Sequence, residues 1–140
     1  MKTTITPSQF AKFLQEEGYK AKVEQDNDGD TVIRSSSSGV NWSVNFGNGD
    51  EEFSRFTFTY LTWVKESANV PHLCNEFNRR SLVGVAWYGD ESDKDGDLFV
   101  ALQFHVNLDG GVTDLYLQEL ASRFDAGISI FHKVYSELQS

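Results

Sequence analysis

One cysteine among 140 residues, Cys74, excludes any disulfide within the chain and fits a reducing compartment. No apolar run approaches the ~20 residues a membrane-spanning helix needs. Residues 1–10, MKTTITPSQF, show no apolar core of a secretory signal. These absences lead us to expect a cytoplasmic protein that does not enter a membrane. Basic residues are also scarce: 12 Lys and Arg stand against 21 Asp and Glu, for a formal charge of −9. The one adjacent basic pair is Arg79-Arg80. Phosphate contacts require clusters of Lys and Arg, so nucleic acid is not the expected partner, nor is an acidic membrane surface.

Recognisable chemistry is equally sparse. There is no Gly-x-Ser-x-Gly, no phosphate-binding glycine loop ahead of a helix and no dinucleotide fingerprint. Gly110-Gly111 precedes a helix start but has no flanking Lys or Arg, and reads as a strand-to-helix turn. His72, His105 and His132 stand at no metal-ligand spacing from one another or from Cys74. His72 and Cys74 are two apart on an expected helix and so face different ways. Cys74 lies on that helix's apolar stripe, where thiols are inert. Residues 91–97, ESDKDGD, match the opening of a calcium loop. The twelfth position, however, is Leu102 where the ion needs a bidentate Glu, and the flanks read as strands. Both this stretch and Asp26-Asn27-Asp28-Gly29-Asp30 read as hairpin turns. We therefore expect no catalytic residue, metal or cofactor.

What the chain does have is a large apolar inventory. It is 39% hydrophobic and 14% aromatic, with eleven Phe and three Trp, too apolar for a disordered chain and enough for one domain spanning 1–140. Thr6, Pro7 and Gln9 form a helix start of the capping-box kind. Phe10, Phe13 and Leu14 supply its stripe and Gly18 its stop. Strands follow over 19–25, 31–37, 40–46 and 52–63, the third alternating cleanly between apolar and polar positions. A second helix over 70–79, capped by Asn69, buries Val70, Leu73, Cys74 and Phe77. Two more strands, 82–88 and 98–107, flank a polar turn. A long last helix begins at Thr113, with Leu117, Leu120, Phe124, Ile128, Phe131 and Val134 at helical spacing and Gly127 as the expected point of division. The order α-β-β-β-β-α-β-β-α, with hairpin-connected strands, predicts an α+β fold on a largely antiparallel sheet.

The expected core face of that sheet carries Val40, Trp42, Val44, Phe46, Phe56, Phe58, Tyr60, Val83, Val85 and Trp87. The other face keeps Leu61, Trp63, Leu82, Tyr88 and Phe99. If helices cover one face only, large apolar groups stand open on the second, the mark of a partner surface. If a helix covers both, that surface does not exist. Leu61, Trp63, Tyr88 and Phe99 are the expected partner contacts.

Residues 71–124 resemble the YbjN-domain family of bacterial sensory-transduction regulators. The resemblance rests on Asn75, Phe77, Asn78 and Arg79 of the middle helix, on Gly84, Ala86 and Tyr88, on the strand 98–104, and on Gly110-Gly111-Val112-Thr113 leading to Leu120 and Phe124. It implies a fold similar to type III secretion chaperones, a homodimer, no enzymatic site, and regulatory or chaperone-like binding of a protein partner. It transfers no chemical role to any residue. The alternative kept open is a small-molecule-binding protein or an enzyme of unrecognised type, which predicts an enclosed pocket with converging polar groups.

Overall fold

The structure is a computed structural model that describes residues 1–65, 69–81 and 83–139. Its elements are α1 (Pro7–Glu16), β1 (Lys22–Gln25), β2 (Thr31–Ser37), β3 (Val40–Gly47), β4 (Arg55–Lys65), α2 (Val70–Arg80), β5 (Val85–Ser92), β6 (Asp97–Asn107) and α3 (Asp114–Gln139). The six strands form one sheet in the order β1-β2-β3-β4-β6-β5. Every neighbouring pair is antiparallel. The expected class and element order both hold.

Local chemistry accounts for the element ends. At α1, Thr6 Oγ1 accepts from the Gln9 backbone while the Gln9 side chain accepts from the Thr6 backbone, each at 3.0 Å. Two orphan donors are satisfied reciprocally. Thr113 Oγ1 accepts from the Tyr116 backbone and caps α3. Asn69 does occupy the N-cap position just ahead of α2, but in a left-handed conformation and without a side-chain cap bond. The two acidic turns share one design. Asp26 Oδ1 accepts from the Asp28 and Asp30 backbones, and Asp93 Oδ1 from those of Asp95 and Asp97, all at 2.9 Å. These carboxylates shape hairpins by local side-chain-to-backbone bonding.

One core joins the inner sheet face to all three helices. Phe10 and Leu14 of α1, Leu73 and Phe77 of α2, and Leu117, Leu120, Phe124, Ile128 and Phe131 of α3 cluster with Trp42, Val44, Phe58, Val100 and Leu102. The rings interlock, with Phe58 centred 5.2 Å from Phe124 and Phe10 4.8 Å from Phe56. Polar ties reinforce the layer. Trp42 Nε1 donates to Ser37 Oγ at 2.9 Å, which donates to Asp125 Oδ1 at 2.6 Å.

Several boundaries differ from expectation. Residues 19–21 lie outside β1, and Tyr19 packs edge-on to Trp42 at 5.8 Å. Phe53 pairs with Ile5 in an isolated bridge, and β4 begins at Arg55. Gly127 does not divide α3, which runs unbroken. A Cβ at Gly127 would lie 3.2 Å from the Val83 carbonyl oxygen, so the glycine serves close packing instead.

The largest correction concerns β5. It starts at Val85 and runs through Ser92, so much of the expected polar turn is strand. Its facing is also reversed. Val85 and Trp87, expected in the core, are 53% and 43% exposed, while Ala86 is buried. The cause is register. Ala86 lies opposite Leu102 and Trp87 opposite Ala101. Two contacts outside the strand hold that register. Asn78 of α2 donates from Nδ2 to the Ala86 carbonyl at 3.1 Å, and its Oδ1 accepts from the Ala86 N–H at 2.7 Å. The side-chain amide thus pairs with the sheet edge as a further strand would. Just before β5, Gly84 (φ +83°) approaches the Gln103 carbonyl so closely that a Cβ would lie 2.8 Å from its oxygen. Val83, also expected in the core, is half-buried ahead of the strand, and Leu82 lies outside the described residues.

Candidate functional site

Among the described residues, the side of the sheet opposite the core carries no helix, because α1, α2 and α3 all belong to the single inner cluster. Register places the outer side chains. On β4 these are Thr57, Thr59, Leu61 and Trp63; on β6 they are Phe99, Ala101, Gln103 and His105; on β5 they are Val85 and Trp87. Leu61, Ala101 and Trp87 form one row across three strands, and Trp63 pairs with Phe99 in the next. Trp63 and Trp87 each meet Phe99 edge-on, with centroids 5.8 and 5.5 Å away. Ala101, between Leu61 and Trp87, has no exposed surface. The Trp87 indole N–H donates to Gln103 Oε1 at 2.9 Å, fixing the ring against the sheet.

Leu61 (54% exposed), Trp63 (53%), Val85 and Trp87 are therefore large apolar side chains open to solvent on one face, with Phe99 part-buried among them. Three of the four expected contacts, Leu61, Trp63 and Phe99, are brought together. Tyr88 is not. It lies opposite Val100, which has no exposed surface, and so belongs to the helix side of the sheet, where it is 40% exposed in the middle of β5. Val85 and Trp87 replace it. They escaped the sequence reading because their facing depends on Asn78 and Gly84, which act from outside the strand. The one local signal is the small Ala86 between two large apolar residues, at the point where the edge strand meets α2. An acidic rim borders the patch: Lys65 pairs with Asp97, which closes the turn holding Asp93 and Asp95.

Elsewhere, among the described residues, the Cys and His side chains stand apart from one another. Burial pushes the Cys74 thiol up to about 11, so it stays protonated. His132 Nε2 lies 3.0 Å from the buried Tyr60 hydroxyl, and desolvation lowers its pKa. His105 Nδ1 pairs with Thr57 Oγ1 at 2.9 Å on the outer face. Among the described residues no three His, Cys, Asp or Glu side chains come together as a metal site. No helix among them is long and apolar enough to cross a membrane. A groove of about 710 Å³ on the β2–β4 side of the sheet is open to solvent rather than an enclosed chamber.

Residues 6–140 match the family model for YbjN, described as a "putative bacterial sensory transduction regulator". The crystal structure of YbjN from E. coli, "a putative transcription regulator", superposes with a TM-score of 0.62 at 15% identity. That match covers 91% of this chain and 90% of the other. An uncharacterized protein from Methanothermobacter thermautotrophicus gives a TM-score of 0.59 at 11% identity, over 96% of this chain and 99% of that one. At such identities the likeness is one of fold. No curated protein matches the sequence.

Proposed function

This chain belongs to the YbjN family, and on that premise we propose that it is a non-enzymatic regulatory module that docks a protein partner on its helix-free sheet face. The observation that carries this reading is the contiguous exposed group of Leu61, Trp63, Val85 and Trp87 around Phe99. Trp and other aromatic anchors supply most of the energy of protein interfaces. Isolated exposed apolar residues are ordinary, but a ring-to-ring cluster on an uncovered sheet is not. The acidic turn beside it favours a partner whose apolar surface has a basic rim.

If the module acts on transcription, as stated of the E. coli relative, its charge of −9 favours an effect through another protein over contact with DNA. The Arg79-Arg80 pair is engaged: Arg79 pairs with Glu76 at 2.8 Å, and Arg80 with Glu137 at 2.7 Å. The same face would also serve a homodimer, in which two acidic rims must be kept apart.

The test is affinity capture from native lysate followed by reconstitution with the purified candidate. Trp63→Asp and Trp87→Asp are the interface variants, and Tyr88→Asp is the control on the other side of the sheet. A partner that binds the native protein and Tyr88→Asp, but neither Trp variant, supports the reading. Equal binding by all folded forms refutes it. Sedimentation of the same proteins decides between a second copy and a different chain.

A further inference from the structure

The open groove has an electrostatic character opposite to that of the whole chain. Among the described residues its lining includes Lys20, Lys22 and Arg34 and no carboxylate. Register explains how they gather. Lys22 of β1 lies opposite Arg34 of β2, Arg34 opposite Ser43 of β3, and Ser43 opposite Thr59 of β4. Two cations and two hydroxyls thus run in one row across four strands. Ser36 and Asn41 form the neighbouring pair. Lys20 reaches the groove from the segment joining α1 to β1, which Gln15 holds by donating from Nε2 to the Ala21 carbonyl at 3.0 Å.

One carboxylate stands behind this row. Glu24 Oε1 lies 3.4 Å from Lys22 Nζ, and its Oε2 lies 3.3 Å from Arg34 Nε. Three cations against that one carboxylate leave a surplus of two positive charges. Arg34 donates to Glu24 from Nε, and its terminal nitrogens make no hydrogen bond among the described residues. Those nitrogens form the flat fork that suits phosphate and carboxylate oxygens. Lys20 has no ion pair among the described residues. The volume of about 710 Å³ falls within the range of small-molecule sites.

We propose that this groove binds a small, multiply charged anion, a metabolite bearing phosphate or carboxylate groups, clasped by Lys20, Lys22 and Arg34 beside the hydroxyl of Thr59. A chain with 12 cations and 21 acids repels anions in general, so a local cationic groove selects where one can settle. Leu61 lines the groove and also belongs to the aromatic face. A bound anion therefore sits at the border of that face, but the site does not depend on any partner docking there.

The test is a titration of the isotopically labelled protein, followed by amide NMR at low salt. The probes are adenosine monophosphate, citrate and uncharged adenosine. Saturable shifts of the Ser36, Ser43 and Thr59 amides with either anion, and none with adenosine, support the site. The two anions distinguish a phosphate from a carboxylate preference. Lys20 and Arg34 are exposed, so a Lys20→Gln, Arg34→Gln double variant should retain the native spectrum. It should bind about tenfold more weakly or worse. Lys133→Gln, an exposed change on α3, should bind as the native protein does. Neither anion binding, shifts spread without saturation over the surface, or equal affinity of native and double-variant proteins would each overturn the proposal. If the double variant fails to fold, added salt decides the matter: binding must weaken steeply as salt rises.

Discussion

Gly84→Ala perturbs the structure at the point that sets the outer face. Gly84 has φ +83°, where an L side chain costs roughly 1–2 kcal/mol. The added Cβ would lie 2.8 Å from the Gln103 carbonyl oxygen. That oxygen belongs to the β6 backbone and cannot swing aside as a side chain would. Relieving the overlap means shifting one chain against the other, at a cost of about 1–3 kcal/mol. Alanine also stiffens the unfolded chain, which returns about 0.4–1 kcal/mol. The net loss is about 1–5 kcal/mol, centred near 3, a large part of the roughly 5–15 kcal/mol that holds a domain together. With an unfolding entropy of about 0.3 kcal/mol per kelvin for a chain of this length, Tm should fall by about 3–16 °C, with about 10 °C as the central value. Urea unfolding followed by tryptophan fluorescence measures the loss directly, with m unchanged if only stability is altered. Gly110→Ala is the control. It has ordinary φ and nothing within 4 Å of the added Cβ, so its effect should stay within about 0.5 kcal/mol. A Gly84→Ala loss as small as the control's would refute the claim that close approach at Gly84 sets the start of β5.

Asn78→Ala removes both bonds to Ala86. At about 0.5–1.5 kcal/mol each, it should cost about 1–3 kcal/mol and accelerate amide exchange in β5 ahead of the rest of the sheet. Uniform exchange across the sheet would show that the pin is not local. Asn78→Asp keeps the acceptor but loses the donor, and should fall between the two. For His132, desolvation places the folded pKa below the ordinary 6.5. The unfolded chain therefore takes up the proton first as pH falls. The stabilisation is complete above about 6.5 and is lost as pH drops through the window below it. Unfolding midpoints measured across that window should decline more steeply for the native protein than for His132→Gln. Parallel declines would remove His132 as a cause.

The parts of this fold that were legible in the sequence are those whose causes are local. The capping box at Thr6, the two Asp-led turns, the alternation along 40–46 and the apolar stripes of α1, α2 and α3 each follow from residues within a few positions of one another, and each stands where expected. On the long strands β4 and β6, alternation also placed Leu61, Trp63 and Phe99 correctly, because one wrong step would have put Phe58 or Val100 in solvent. The edge strand β5 lacks that self-consistency. The run Val85-Ala86-Trp87-Tyr88 is apolar at every position, so period-two reasoning has no polar residue to anchor it. Its facing is decided by an amide from α2 and by a glycine lying against β6, contacts that exist only once the chain has folded.

The same gap between local and non-local causes hid the cationic groove. Lys20, Lys22 and Arg34 are scattered in an acidic sequence and form no run. They converge because antiparallel register lays β1 on β2 and β2 on β3. Both candidate surfaces of this protein, the aromatic patch and the groove beside it, are therefore products of strand register. A one-residue slip of β1 against β2 would carry Lys22 and Glu24 together to the other face of the sheet and dissolve the groove, while leaving the aromatic patch on β4, β6 and β5 intact. The two surfaces share only Leu61 and rest on different strand pairings, so a substitution that disrupts one can leave the other in place.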